Sequence, residues 1–141
     1  RGFVLGVDLK PIEPFPQEYV RTIIADFTEP ETLQQILDLL PRKADVVLSD
    51  ASPNISGIWE VDHARQIDLA SHALKTALSV LKPGGNFFVK VFEGDMLADF
   101  VKKVTKYFDT VNVIKPKASR AKSSEMFVLA MNLKPEATAE K

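Results

Sequence analysis

Three short, largely apolar runs in the first fifty residues each end in an aspartate, and this repeat constrains the fold more than any other feature of the chain. Phe3-Val4-Leu5-Gly6-Val7 ends in Asp8, Thr22-Ile23-Ile24-Ala25 in Asp26, and Val46-Val47-Leu48-Ser49 in Asp50. Runs of four or five such residues bounded by turn formers read as buried strands. Pro11, Pro14 and Pro16 make a loop after the first run. Ahead of the third, Leu33, Ile36, Leu37 and Leu40 recur at helical spacing. They follow Thr28-Glu29-Pro30-Glu31, which has the spacing of a capping box and a proline suited to a first turn.

The alternation continues. Residues 51–61 form a loop containing Pro53, Asn54 and Gly57, and Asp62 is placed to cap a long helix. The apolar face of that helix is Ile67, Ala70, Leu74, Ala77, Leu78 and Leu81, and Lys82-Pro83-Gly84-Gly85 ends it. Asn86–Phe92 reads as a fourth strand and residues 96–108 as a helix through Leu97, Phe100, Val101, Val104 and Phe108. Val111–Ile114 and Met126–Met131 close the pattern. No helix-length segment separates them, so they are expected to pair antiparallel. The expectation is an α/β fold: a mostly parallel sheet, helices on both faces, an antiparallel last strand, one domain over residues 1–133 and a flexible tail over 134–141.

Length and composition bound the function classes. The 141 residues, 45% apolar with both charge signs, suit one globular domain. No apolar run approaches the length of a membrane span, and no secretory signal is visible. The absence of cysteine excludes disulfides, thiolate metal sites and a cysteine nucleophile, and is compatible with a cytoplasmic protein. His63 and His72 share one predicted helix at a spacing that does not suit a metal, so they read as surface or packing residues and no metal is expected. The net charge of −1 hides an asymmetry: residues 1–62 hold 11 acids against 5 bases, residues 63–141 hold 8 against 13. A basic C-terminal half suits a polyanionic partner, although a solvated face gives the same count.

In open α/β sheets ligands bind outside the carboxyl ends of the strands, where Asp8, Asp26 and Asp50 stand. Asp8 is placed to grip ribose hydroxyls. Asp26 can accept from an adenine amino group, with Phe27 beside it as an apolar surface. An adenosine-containing cofactor fits this rim, and these residues alone do not exclude a nicotinamide dinucleotide. Lys90 interrupts the apolar run Phe87-Phe88-Val89-Val91-Phe92, and lysine is rarely buried without a partner. It is either a strand residue that reaches the sheet edge or makes one buried ion pair, or an active-site group held between Asp50 and Glu125. Lys115, Lys117, Arg120 and Lys122 lie in a loop without acids, suited to phosphate contacts.

Four stretches taken together carry a resemblance: Asp50-Ala51-Ser52-Pro53-Asn54-Ile55-Ser56-Gly57, Val80-Leu81-Lys82-Pro83-Gly84-Gly85, Val89-Lys90-Val91-Phe92-Glu93-Gly94, and Lys115-Pro116 through Ser119-Arg120 to Ser124-Glu125. They resemble the FtsJ/RrmJ family of S-adenosylmethionine-dependent RNA 2′-O-ribose methyltransferases, from about Phe3 to Leu133. The Pro-Gly-Gly element is shared by many methyltransferases; the other three, in order, are more specific. The resemblance implies a Rossmann-like methyltransferase fold, S-adenosylmethionine as cofactor and RNA as substrate. It also implies a Lys-Asp-Lys-Glu tetrad whose last three members are Asp50, Lys90 and Glu125, with Lys90 as proton acceptor. Asp8, Asp26 and Asp50 match cofactor positions. The first tetrad lysine and the first strand with its glycine-rich loop would precede Phe3, so the chain is expected to be part of a longer protein. A uridine of large-subunit (23S-type) ribosomal RNA is the expected target, with transfer RNA or a messenger cap as alternatives. The rival classes are an inactive RNA-binding fragment and a nicotinamide-dependent enzyme.

Overall fold

The computed structural model of the chain describes residues 2–10, 16–115 and 125–138. It divides into two compact units, Arg1–Lys43 and Ala44–Lys141.

In the first unit β1 (Val4–Asp8) and β2 (Val20–Ile24) pair in parallel, from Val4 opposite Val20 to Asp8 opposite Ile24. Helix α1 (Pro30–Leu39) follows, with the proline in its first turn as expected. Its capping differs from the expected box. Glu29 is the N-cap residue and makes no side-chain capping bond. Asp26 organises the turn instead: Oδ1 accepts from the Thr28 N–H at 2.9 Å and from the Thr28 hydroxyl at 2.6 Å. The Thr32 hydroxyl donates to the Asp26 carbonyl at 2.6 Å. Ile36 is the one residue of the expected apolar face that is fully buried, beside Thr32; Leu33, Leu37 and Leu40 are half-buried.

The second unit contains β3 (Ala44–Ser49), α2 (Trp59–Val80), β4 (Leu81–Phe92), α3 (Leu97–Thr105), β5 (Phe108–Ile114), β6 (Glu125–Leu133) and a single helical turn, α4 (Pro135–Thr138). That turn lies within the segment read from the sequence as a tail. The strand order is β3-β4-β6-β5. β3 and β4 are parallel, and β6 runs antiparallel to both β4 and β5, so the expected antiparallel closure is present. α2 begins before Asp62, with Ile58 as N-cap residue, and passes directly into β4 at Leu81. The Lys82-Pro83-Gly84-Gly85 stop is therefore an irregularity inside a strand. Pairing jumps from Ala44 opposite Leu81 to Val46 opposite Asn86. Gly84 supplies the φ of +87° that this detour needs. A β-carbon on Gly85 would lie 2.9 Å from Leu81 Cδ2 and 3.1 Å from the Asp45 carbonyl, a crowding that glycine avoids.

The pleat sorts the sheet residues onto two faces. Phe87, Val89, Val91, Val128 and Ala130 are buried on one, against α2 and α3, which also contact each other. Ala70, Ala73 and Ala77 on α2 are almost fully buried; small side chains there let the helix lie close to the strands. Phe87 stacks on Phe108 with ring centroids 6.2 Å apart. The opposite face carries Val46, Leu48, Phe88, Lys90 and Phe127. Phe88 and Phe127 stack at 4.9 Å, and Leu48 is 72% exposed. No helix among the described residues is long and apolar enough to cross a membrane.

The two faces predict unequal costs. Phe87→Ala opens a cavity in a filled layer and is expected to destabilise by about 3–5 kcal/mol, whereas Phe88→Ala, on the half-buried face, costs clearly less. Urea denaturation of the two variants in parallel checks this; equal losses would show that the helix-covered face is not the core.

Candidate active site

Lys90 is 7% exposed on β4, an interior strand of the second sheet. Its Nζ lies 3.2 Å from Asp50 Oδ1 and 3.5 Å from Glu125 Oε2. The three residues meet because of register. Ser49 pairs with Val89 across the parallel β3/β4 ladder, so the next positions, Asp50 and Lys90, stand side by side on one face. Across the antiparallel β4/β6 ladder Lys90 faces Phe127 and Phe92 faces Glu125. Glu125 is two residues from Phe127, hence on the same face and diagonal to Lys90. The structure thus brings together the three residues expected to act together.

The electrostatic environment is uneven. The Lys90 side chain is 9% exposed, those of Asp50 and Glu125 82% and 48%. A lysine taken out of water loses hydration that only close anionic partners replace. Asp50 keeps most of its exposure to water and Glu125 about half, so each has acceptor capacity directed at solvent as well as at Nζ.

Asp50 is followed by a loop that leans on the first turns of α2. The Asp62 carboxylate accepts from the Ser56 N–H and hydroxyl, both at 2.8 Å, and from the Gly57 N–H at 3.1 Å. These bonds, led by the Ser56 amide, hold Asp62 below the ordinary carboxylate value of 3.8 against the opposing effect of desolvation, with Arg65 contributing in the same direction as the bonds. Asp62 was expected as the helix cap; it sits inside the helix and ties down the preceding loop. His63 and Gln66 are also buried. The Met96 N–H donates to His63 Nε2 at 3.0 Å, and Gln66 Nε2 donates to the Ala51 carbonyl at 2.8 Å. Sequence reasoning took His63 as a surface or packing residue and passed over Gln66. The available signal was the continuation of the α2 stripe: Gln66 and His63 extend Ala77, Ala73 and Ala70 at helical spacing, so polar residues there had to be buried. His72 lies half-exposed, 3.8 Å from Asp68.

The expected cofactor residues Asp8, Asp26 and Phe27 belong to the first unit. Asp8 is exposed at the carboxyl end of β1 and accepts from the Lys10 N–H at 3.3 Å. Asp26 and Phe27 are half-buried between β2 and α1. Lys115 is exposed just beyond β5; Lys117, Arg120 and Lys122 lie outside the described residues.

Solved structures show the same fold at low sequence identity. A Plasmodium falciparum protein described as a ribosomal RNA methyltransferase superposes with a TM-score of 0.83 at 21% identity, over 94% of this chain and 73% of that one. Human methyltransferase-like protein 13 in complex with SAH superposes at 0.62 with 13% identity, over 98% and 67%. The second unit's sheet with its antiparallel last strand thus belongs to a Rossmann-like methyltransferase fold. The model of the FtsJ-like methyltransferase family matches residues 1–133, and the chain belongs to that family. The ribosomal RNA large subunit methyltransferase E of Methanocaldococcus jannaschii is 53% identical over 133 residues, covering 92% of this chain and 54% of that protein. The protein of the same name from Methanococcus vannielii is 51% identical over 129 residues, covering 92% and 50%. The chain therefore spans about half the length of these curated relatives.

The lowered Asp62 value fixes a pH dependence. A carboxylate whose folded value lies below its unfolded one stabilises fully above the unfolded value and loses that contribution as pH falls through the folded value. The stability gap between the wild type and Asp62→Asn is expected to be widest above about pH 5 and to close below about pH 4. Melting curves from pH 3 to 7 read this directly; a gap independent of pH would remove the charge from the explanation.

Proposed function

We propose that the protein transfers a methyl group from S-adenosylmethionine to a ribose 2′-oxygen of RNA, and that its target is a uridine of large-subunit ribosomal RNA. The observation that carries this reading is the buried Lys90 side chain between the Asp50 and Glu125 side chains on one sheet face. Family membership and the names of the relatives support the reaction class and the RNA class. A cytoplasmic setting goes with that substrate.

A ribose hydroxyl is a weak nucleophile at neutral pH, so the site must remove its proton as the new bond forms. Lysine nitrogen is tetrahedral. With two of its directions taken by Asp50 and Glu125, one remains for the 2′-hydroxyl. In the neutral amine that direction holds the lone pair, which takes the proton; in the ammonium it holds an N–H, which orients the oxygen. The carboxylates keep the amine from rotating, so alignment is set before substrate arrives. The cofactor supplies an activated methyl on a cationic sulfur. Asp8, with an exposed carboxylate, is fitted to accept from ribose hydroxyls, and Asp26 and Phe27 would meet the adenine. Lys115, Lys117, Arg120 and Lys122 would hold phosphates and set the RNA register.

The test uses the full-length polypeptide with labelled S-adenosylmethionine and large-subunit RNA, followed by digestion to nucleosides. A 2′-O-methylated nucleoside is expected; label on a base would overturn the roles of Lys90 and Glu125. Lys90→Ala is expected to abolish transfer while leaving cofactor affinity within about twofold, because the lysine acts on the hydroxyl and not on the cofactor. Unchanged turnover in that variant would sink the assignment.

A further inference from the structure

Asp50 lies one residue beyond the last registered β3/β4 pair, Ser49 with Val89. Registered pairing ends there, so a bond to the residue that follows bears on how Asp50 is held. That residue is Ala51, whose carbonyl accepts from Gln66 Nε2 at 2.8 Å. The loop after β4 is held from the same helix end: His63 Nε2 accepts from the Met96 N–H at 3.0 Å. The His63 ring also packs beneath Gly94, where a β-carbon would lie 2.5–2.6 Å from three ring atoms. One stretch of α2 thus fastens both loops that leave the site, one directly after Asp50 and one shortly after Lys90.

These side chains are not the cheapest way to bury a helix end. Gln66 is 0% exposed and His63 4%. Among the described residues, the buried side-chain atoms without a hydrogen-bond partner are His63 Nδ1 and Gln66 Oε1. A histidine accepting at Nε2 carries its proton at Nδ1, so one is an unmet donor and the other an unmet acceptor. Apolar residues of similar shape would avoid both penalties. What apolar residues would lose is the grip on two main-chain segments.

We propose that Gln66 and His63 are positioning residues for the reaction proposed above, on which this inference rests: Gln66 fixes Asp50 against Lys90 through the Ala51 carbonyl, and His63 fixes the loop after Lys90 through the Met96 amide. Neither touches the reacting atoms. They act by holding the Lys90 pair in one geometry, where a displacement of about 1 Å costs up to about a hundredfold in rate.

The experiment uses the full-length protein carrying Gln66→Met, Gln66→Glu or His63→Phe. Methionine keeps the volume and removes the donor, glutamate keeps the shape and sets an acceptor against the carbonyl, and phenylalanine keeps a ring beneath Gly94 without the acceptor. Each variant is expected to melt as a folded protein, to keep the KM for S-adenosylmethionine within about twofold, and to lose about 10–100-fold in kcat. Wild-type kcat in folded Gln66→Met, or a loss matched by an equal loss of folded protein, would overturn the proposal. A crystal structure of Gln66→Met gives a reading independent of activity: the Asp50–Lys90 separation is expected to exceed about 4 Å, the limit of an ion pair. An unchanged 3.2 Å would overturn the positioning role. A wild type that makes no 2′-O-methylated product would instead overturn the proposed reaction, and the structural arm would still decide the role of Gln66.

Discussion

A buried lysine on an interior strand of a largely apolar sheet is the constraint on which the second unit depends. Lys90 stands in a strand whose other residues from Phe87 to Phe92 are apolar, and burial leaves it only the partners that its neighbouring strands supply. A parallel neighbour sets Asp50 level with it, and an antiparallel neighbour sets Glu125 on the diagonal. The direction of β6 matters as much as its position. Because it runs against β4, its first residue arrives at the end of the sheet where β4 finishes.

Much of this was open to reading in the residues. Strand ends were legible because Asp8, Asp26 and Asp50 each break an apolar run, and Lys90 was legible because it interrupts one. The antiparallel closure followed from the short connection between Ile114 and Glu125. The positions that escaped are those where main-chain atoms far apart in sequence decide the outcome. Lys82-Pro83-Gly84-Gly85 looks like a stop, yet the pairing of Leu81 with Ala44 draws it into β4. Thr28 looks like a cap, yet Asp26 sits close enough to engage it and take over the turn. Gln66 and His63 bond to carbonyl and amide groups, whose positions no side-chain pattern records.

The first turns of α2 show how a helix that looks like packing acquires a second task. Ala70, Ala73, Leu74 and Ala77 press it onto the sheet, and one turn earlier the same stripe becomes Asp62, His63 and Gln66. Where the sheet lies beneath, the stripe is apolar. Where the helix runs past the strand ends and meets loops, it is polar, because unpaired backbone groups there need partners. The change of chemistry along one helix face marks the boundary between core and site.

The His63 ring fills the volume that a side chain at position 94 would need. The two positions are distant in sequence but share one space, so their occupancy is linked. In any chain that keeps α2 and the loop after β4 at this spacing, position 94 can gain a β-carbon only where position 63 gives up its ring. Sequence variation at the two sites should therefore be paired, and an intermediate bearing both bulky residues should be absent from the paths by which such chains diverge.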